Sequence, residues 1–403
     1  MPANLLQAAE PRQNVSFIKD FDDLWHNLAK RYCFFREKKT DWNAVRTLYR
    51  PQAMAARSRN ELANILGRVL AELYDAHTYL RQDPDHPLGS SYFDSQRSPY
   101  FDLWVEPKEG SLALVTSVRE GSAAADAGIL PGDVITAVDG RPIGELAAYL
   151  MPRCLAKPDP EALAFTLNLA VSGRRQQPRT VIVRPGIGNE RQVDVPLKEP
   201  VQRPDFEIRQ LAEGFGCIVI RSFADEAIVA QFDAALLAFR DTPGLIIDVR
   251  ENGGGDTAVA RPIMGRFITE RKPYARMSRR EGDGLSTTWT EMVDARGPFT
   301  YTAPIVILTS RWSASMAEGF PMGMRGLGRA TIVGTPMMRV GAAVFDTLLK
   351  QSQIRYQYSA EPVYDVEGRP RWLLEPDVLV SGDEDTMAAG IASLRGSIAK
   401  IAL

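Results

Sequence analysis

Two strings rich in small residues have the composition that chemistry at a backbone turn requires. The first is Asp248-Val-Arg-Glu-Asn-Gly253-Gly254-Gly255-Asp256, which continues the apolar run Gly244–Val249. Three successive glycines let a chain turn sharply and aim bare N–H groups at one point, an arrangement suited to a phosphate or an oxyanion. The string has neither the Lys-Ser/Thr of a P-loop nor the spacing of a dinucleotide fingerprint, which leaves an oxyanion loop or a purely structural turn. The second string is Thr309-Ser-Arg-Trp-Ser313-Ala-Ser315-Met-Ala-Glu318, between the apolar run Pro304–Leu308 and a helical pattern from Ser315 to Met324. A serine at such a turn sits at the positive end of a helix with Oγ exposed and the next N–H free. That geometry suits a nucleophile whose oxyanion is held by neighbouring amides. The same residues also spell a capping box, with Glu318 three positions after Ser315.

A serine nucleophile needs a base, and the chain has only three histidines. His26 lies on the helix bearing Trp25 and Leu28 and reads as structural. His86 lies in Asp-Pro-Asp-His-Pro and reads as a surface loop residue. His77, in Leu73-Tyr-Asp75-Ala-His77-Thr-Tyr-Leu80, closes the last helical pattern of the N-terminal region. An imidazole with an ordinary pKa of ~6.5 can take a proton from serine near neutral pH. The basic run Arg271–Arg280 reads as a solvated loop. The long stretch Arg266–Tyr301 has the length of a lid over a site. Methionines 316, 322, 324, 337 and 338 crowd the same region and read as core, or as a flexible apolar lining.

The elements that must hold these residues follow from periodicity. Residues 14–95 carry helical spacing, as in Phe17, Phe21, Leu24 and Leu28, with Asp41 and Ser58 as N-caps. Arg81–Ser98 is rich in Pro, Asp and Ser and reads as a linker. From Tyr100 the period becomes strand-like. Gly121-Ser-Ala-Ala-Ala-Asp-Ala-Gly128-Ile-Leu-Pro-Gly132-Asp-Val-Ile-Thr-Ala-Val-Asp-Gly140 then predicts a short helix, a Gly128 C-cap, a Pro-Gly turn, a strand and an Asp-Gly hairpin. From ~205 onwards, strands at Phe215–Ile220, Gly244–Val249, Pro304–Leu308 and Ala330–Gly334 alternate with helices, the pattern of an α/β layer fold.

The glycine-rich string at 121–140 resembles a PDZ domain of the bacterial protease-associated type, extending to about Pro196. That resemblance implies peptide binding by strand addition, with the carboxylate-binding loop near Ser98–Leu103, a stretch without glycine. Asp-x-Arg-x-Asn-Gly-Gly-Gly, then Ser-Ala-Ser-x-x-Glu, then Gly328-Arg-Ala-Thr-Ile-Val-Gly334, in this order, resembles the C-terminal processing peptidase family. Tail-specific proteases, the tricorn protease core and retinoid-binding relatives belong to it. The resemblance implies an α/β, crotonase-like catalytic core (199–403) with an inserted β-rich PDZ domain (96–198) and an N-terminal helical domain (1–95). It makes Ser315 the nucleophile and assigns the oxyanion to the N–H groups of Met316 and Gly254. The tail-specific branch carries a base lysine where this chain has Val340 beside Arg339, and arginine keeps its proton at neutral pH. The tricorn-like branch takes its base from an N-terminal histidine, which matches His77. Its orienting glutamate maps nearest to Glu375, with Glu367, Glu361, Asp346 and Asp365 as alternatives. The expected activity is hydrolysis of peptide bonds, with the PDZ domain binding peptide or gating the cleft and no metal or cofactor. The alternatives are a non-catalytic ligand- or peptide-binding protein on the same fold and an adaptor acting through its PDZ domain.

Composition excludes other classes. Apolar residues make up 45% of the 403 and charged residues 24%, with a net charge of −2. Such a balance rules out long-range disorder and any bulk field drawing the chain to nucleic acid or anionic lipid. Cys33, Cys154 and Cys217 are too few and too scattered for a disulfide framework or a zinc site. Read from Met1, the N-terminus lacks a signal pattern, which places the chain as written in the cytoplasm; a removed signal would place it in the periplasm or outside the cell.

Overall fold

A computed structural model describes residues 17–83, 85, 88, 97–198, 203–380 and 385–401. His86 and most of the expected 81–98 linker lie outside the described residues. The architecture is mixed α/β, with a helical N-terminal region, a PDZ domain and a larger core.

The N-terminal helices are Phe17–Arg31, Trp42–Ala55 and Arg59–Ala71. Asp41 and Ser58 cap the second and third as their side chains predict, accepting from Asn43, Ala44 and Glu61 N–H groups. These helices do not close a core alone. Phe21, Leu24, Leu66 and Val69 pack in one cluster with Ala342, Ile354, Tyr356 and Tyr358 from the C-terminal half. The strand Tyr79–Arg81, just after His77, pairs antiparallel with Arg355–Tyr364. Residues 17–81 are therefore built into the C-terminal half, which fixes His77 to it.

The PDZ domain is an antiparallel sheet in the order Leu103–Lys108, Leu112–Val118, Val134–Val138, Arg179–Arg184, Arg191–Val195. The turns form where glycine chemistry predicts: Gly128 has φ 74°, Gly132 φ 94°, and Asp139-Gly140 has positive φ at both residues. Leu103–Lys108 is an edge strand, and its free edge faces the helix Pro160–Ser172.

The core sheet runs Val378–Leu379, Ala330–Gly334, Ile305–Thr309, Leu245–Asp248, Gly216–Ile220, Phe206–Gln210, parallel except for the last strand. Its central strands are buried throughout, as continuous apolar runs require. The helices Ala227–Ala238, Thr257–Met264 and Met316–Gly326 cover one face and Thr386–Ile401 the other. A second sheet, built from Lys272–Met277, Trp289–Val293, Arg355–Tyr364 and Ala342–Leu348, lies over the first helix layer. Arg266–Tyr301, read as a lid, instead supplies two of those strands. Its apolar residues Tyr274, Ala275 and Val293 are too few and too interrupted to announce strands, but they pack on the helix layer. Met316–Gly326 is enclosed by both sheets, so every residue from Met316 to Met324 is buried, including Glu318.

Candidate active site

The two strings lie side by side because their strands do. Leu245–Asp248 and Ile305–Thr309 are parallel neighbours, with Asp248 opposite Leu308. Both strings leave the carboxyl ends of those strands, the place where open α/β sheets build sites. Cross-bonds then lock loop to loop. Ser313 Oγ donates to the Val249 carbonyl at 2.8 Å, and the Ala314 N–H to the Asn252 carbonyl at 3.0 Å. Asn252 is fully buried; its amide nitrogen donates to the Ile220 carbonyl at 3.0 Å and its oxygen accepts from the Gly254 N–H at 2.8 Å.

Ser315 has φ 55° and ψ −115°. A non-glycine residue pays for such a backbone, and the strain persists only where the surroundings enforce it. The same conformation lifts a nucleophile's side chain off a strand-to-helix turn. The Met316 N–H has no hydrogen-bond partner among the described residues. Gly254, with φ 108°, presses against this peptide: a Cβ there would stand 2.7 Å from Ser315 Cβ and 3.2 Å from the Met316 nitrogen. Gly254 is thus obligatory for contact as well as for conformation. Its own N–H is taken by Asn252 in this structure.

The capping box forms, with the Ser315 N–H donating to Glu318 Oε1 at 3.1 Å. The same oxygen accepts the Val340 N–H at 3.0 Å, while Oε2 is buried without a partner. Burial pushes this carboxyl up to about 7, against the opposing pull of Arg371.

His77 lies in the turn between Arg59–Ala71 and Tyr79–Arg81. Asp75 builds that turn: Oδ1 accepts the His77 N–H at 2.9 Å, and Oδ2 accepts from Thr78 Oγ1 and Ser359 Oγ at 2.7 and 2.8 Å. Gln357 Nε2 donates to the His77 carbonyl at 3.0 Å. The ring nitrogen Nδ1 is buried without a partner. Desolvation lowers the ring's pKa to about 4; Arg371 adds to the lowering, while Asp75 and the Ala342 backbone oppose it. The ring makes no hydrogen bond to Ser315 in this structure; the two are connected through Glu318, Val340 and Arg371.

The carboxylates expected to orient His77 form no hydrogen bond or ion pair with it among the described residues. Glu375 is half exposed and pairs with Arg339 at 3.0 Å. Glu361 pairs with Arg279, Glu367 and Asp365 with Arg369, and Asp346 with Arg81. The acid that holds the His77 turn is Asp75, whose position two residues earlier was a visible Asx-turn signal. Arg371 is a further buried residue at the site, and nothing local in the sequence marks it. His26 is a helix-surface residue whose Nδ1 meets the Asp22 carbonyl at 2.7 Å. The three cysteines are buried and unpaired.

The PDZ domain touches the Ser315 turn directly. Trp312 Nε1 donates to the Tyr100 carbonyl at 3.0 Å, and the Arg311 guanidinium lies over the Trp104 ring, 4.7 Å from its centroid. On the opposite side of this strand, Asn168 holds Val105 as an incoming peptide would: Val105 N–H to Oδ1 at 2.8 Å, and Nδ2 to the Val105 carbonyl at 2.7 Å.

Comparison with known proteins agrees with this architecture. Residues 214–380 match the model of Peptidase family S41, residues 14–71 the Tricorn protease C1 domain and residues 114–151 a PDZ domain. The carboxy-terminal processing protease CtpA of Bacillus subtilis is 26% identical over 253 residues, covering 59% of this chain and 48% of that protein. A carboxy-terminal-processing protease of Bartonella bacilliformis is 26% identical over 293 residues, covering 70% of this chain and 60% of that protein. The chain thus spans about half to three-fifths of these relatives. Mature CPAF superposes with a TM-score of 0.62 at 16% identity, over 94% of this chain and 95% of the other. The photosystem II D1 C-terminal processing protease superposes with a TM-score of 0.58 at 18% identity, over 94% and 97%. Residues 214–380 are accordingly similar to Peptidase family S41, in one chain with a tricorn-C1-like helical region and a PDZ-like domain.

Proposed function

We propose that this chain is a serine peptidase in which Ser315 attacks a peptide carbonyl and His77, not a lysine, takes the proton. The observation that carries the reading is the backbone of Ser315, at φ 55° and ψ −115°, beside the unpartnered Met316 N–H and the bare Cα of Gly254. Attack forms a bond from Oγ to the carbonyl carbon and moves the Oγ proton to the imidazole. The developing oxyanion is received by the Met316 N–H and by the glycine loop, where the Gly254 N–H turns from Asn252 to reach it. His77 then protonates the leaving amine, and water releases the acyl group by the same route reversed. A ring that stays neutral down to about pH 4 is in the accepting form at pH 7. Proton transfer requires closure of the gap to Ser315, and catalytic hydrogen bonds often tighten only with substrate bound. Glu375, placed by the family resemblance, pairs with Arg339, and Asp75 is the better-situated acid for holding His77. The substrate class is peptide, and the contact of Tyr100 and Trp104 with Trp312 and Arg311 gives the PDZ domain a route to gate the nucleophile turn.

A fluorophosphonate probe tests the reading: labelling at pH 7–8 that vanishes in Ser315→Ala supports it, and an unlabelled wild-type chain defeats it. A second reading, a peptide- or ligand-binding protein without catalysis, draws on the missing Ser315–His77 bond and predicts that unlabelled result.

A further inference from the structure

Val340 is held on both sides by buried charges that come from different elements. Glu318, on the helix Met316–Gly326, accepts its N–H at 3.0 Å. Arg371, on the short turn Arg371–Leu373, donates through one Nη2 to the carbonyls of Val340 at 2.6 Å and Ala342 at 3.2 Å. Glu318 is 1% exposed and Arg371 5%. The two side chains form no direct ion pair within 4 Å; the Val340 backbone lies between them. Each also reaches one half of the proposed catalytic couple. Glu318 Oε1 takes the Ser315 N–H at 3.1 Å, and Arg371 holds the carbonyl of Ala342, the residue whose backbone meets His77. The chain beyond Val340 enters the strand Ala342–Leu348, which pairs with Arg355–Tyr364, where Gln357 and Ser359 moor the His77 turn. The groups facing Glu318 are Arg371 and Arg339, and those facing His77 are Asp75 and Arg371.

A buried charge pair adds little net stability, since desolvation offsets its attraction, but it specifies geometry when both members are tied to backbone. We propose that Glu318 and Arg371 are a positioning pair that grips Val340 and thereby sets the approach of His77 to Ser315. This rests on the serine-peptidase reading and adds to it the residues that keep the two halves in register.

The experiment compares wild type, Glu318→Ala and Glu318→Gln in the full chain by two readouts: amide hydrogen exchange of the 336–345 segment, and the rate of fluorophosphonate labelling with its pH profile. Glu318→Ala removes the acceptor and is expected to speed exchange at least tenfold and slow labelling by about a hundredfold, an effect of the size of losing a preorganised group. Glu318→Gln keeps an acceptor oxygen and is expected to exchange like wild type and label within threefold of it. Its labelling profile should also lose any inflection near pH 7, which a merely structural role would not move. Unchanged exchange in Glu318→Ala overturns the grip. Faster exchange with labelling within twofold of wild type overturns the positioning role. An unlabelled wild type defeats the serine-peptidase reading and the positioning claim together, and exchange still tells that failure from failure of the grip.

Discussion

The Ser315 turn and the PDZ edge strand are neighbours with opposite polar economies. At Val105 both backbone groups are satisfied by one buried side chain, Asn168, whose carboxamide repeats the donor–acceptor pattern of a peptide. Around Ser315 the Met316 N–H, Glu318 Oε2, His77 Nδ1 and Arg371 Nε are all left without partners, three of them buried. Unmet buried polar groups cost about 1–3 kcal/mol each, so a fold retains them where they serve something. The edge strand, the surface on which a PDZ domain captures peptide, is closed upon itself; the turn beside it is held open and strained.

The largest effect that would break this contrast is loss of the hydroxyl. Ser315→Ala should lower peptide hydrolysis by four or more orders of magnitude and abolish probe labelling with its melting temperature nearly unchanged. Retained turnover would move the chemistry elsewhere. Next in size is Gly254→Ala. The added methyl would stand 2.9 Å from the Ala314 carbonyl at a φ of 108°, so urea unfolding should show a loss of about 3 kcal/mol or more, with hydrolysis gone.

A gain should accompany relief of strain. Ser315→Gly should raise stability by about 1–2 kcal/mol over Ser315→Ala while remaining inactive, because glycine accepts φ 55° freely. Equal melting temperatures for the two variants would remove strain from the account.

The pH dependence of stability sharpens the comparison further. Folded Glu318 keeps its proton up to about pH 7 instead of the ordinary 4.5, so the folded chain binds the extra proton between these values and stability falls as pH rises. For His77 the folded value is about 4 against 6.5, so the unfolded chain binds the extra proton and stability rises with pH across that window. In wild type the two slopes oppose one another from about pH 4.5 to 6.5. His77→Asn should expose the Glu318 slope alone, a fall of a few kcal/mol between pH 4.5 and 7 in urea midpoints, on the scale of ~1.4 kcal/mol per pH interval. A flat profile in that variant would remove Glu318 as the titrating group.

The smallest effect concerns the closed edge. Asn168→Ala should cost about 1–3 kcal/mol by stranding the Val105 N–H and carbonyl. It should also raise the PDZ domain's affinity for extended peptides above that of the parent. Equal peptide binding by both would show that Asn168 does not guard the edge.

Local chemistry determined much of this protein. Consecutive apolar runs read as the central parallel strands, Gly128, Gly132 and Asp139-Gly140 dictated turns of the PDZ domain, and Ser315 and the triple glycine were visible as small residues at strand ends. The placement of those strands side by side brought the two strings together, and no spacing within either string could state that. The lid expected at Arg266–Tyr301 became two strands of a second sheet, because its apolar residues gain a partner only when the helix Met316–Gly326 is beneath them. The family resemblance maps the acid for His77 nearest to Glu375, yet Glu375 is half exposed and pairs with Arg339, and Asp75 is the acid that ties down the His77 turn. Arg371 lies far in sequence from every residue it serves. Turn geometry and burial preference are properties of a few consecutive residues, whereas the meeting of Ser315, Glu318, Val340, Arg371 and His77 depends on which strands pair, and only the packed chain decides that.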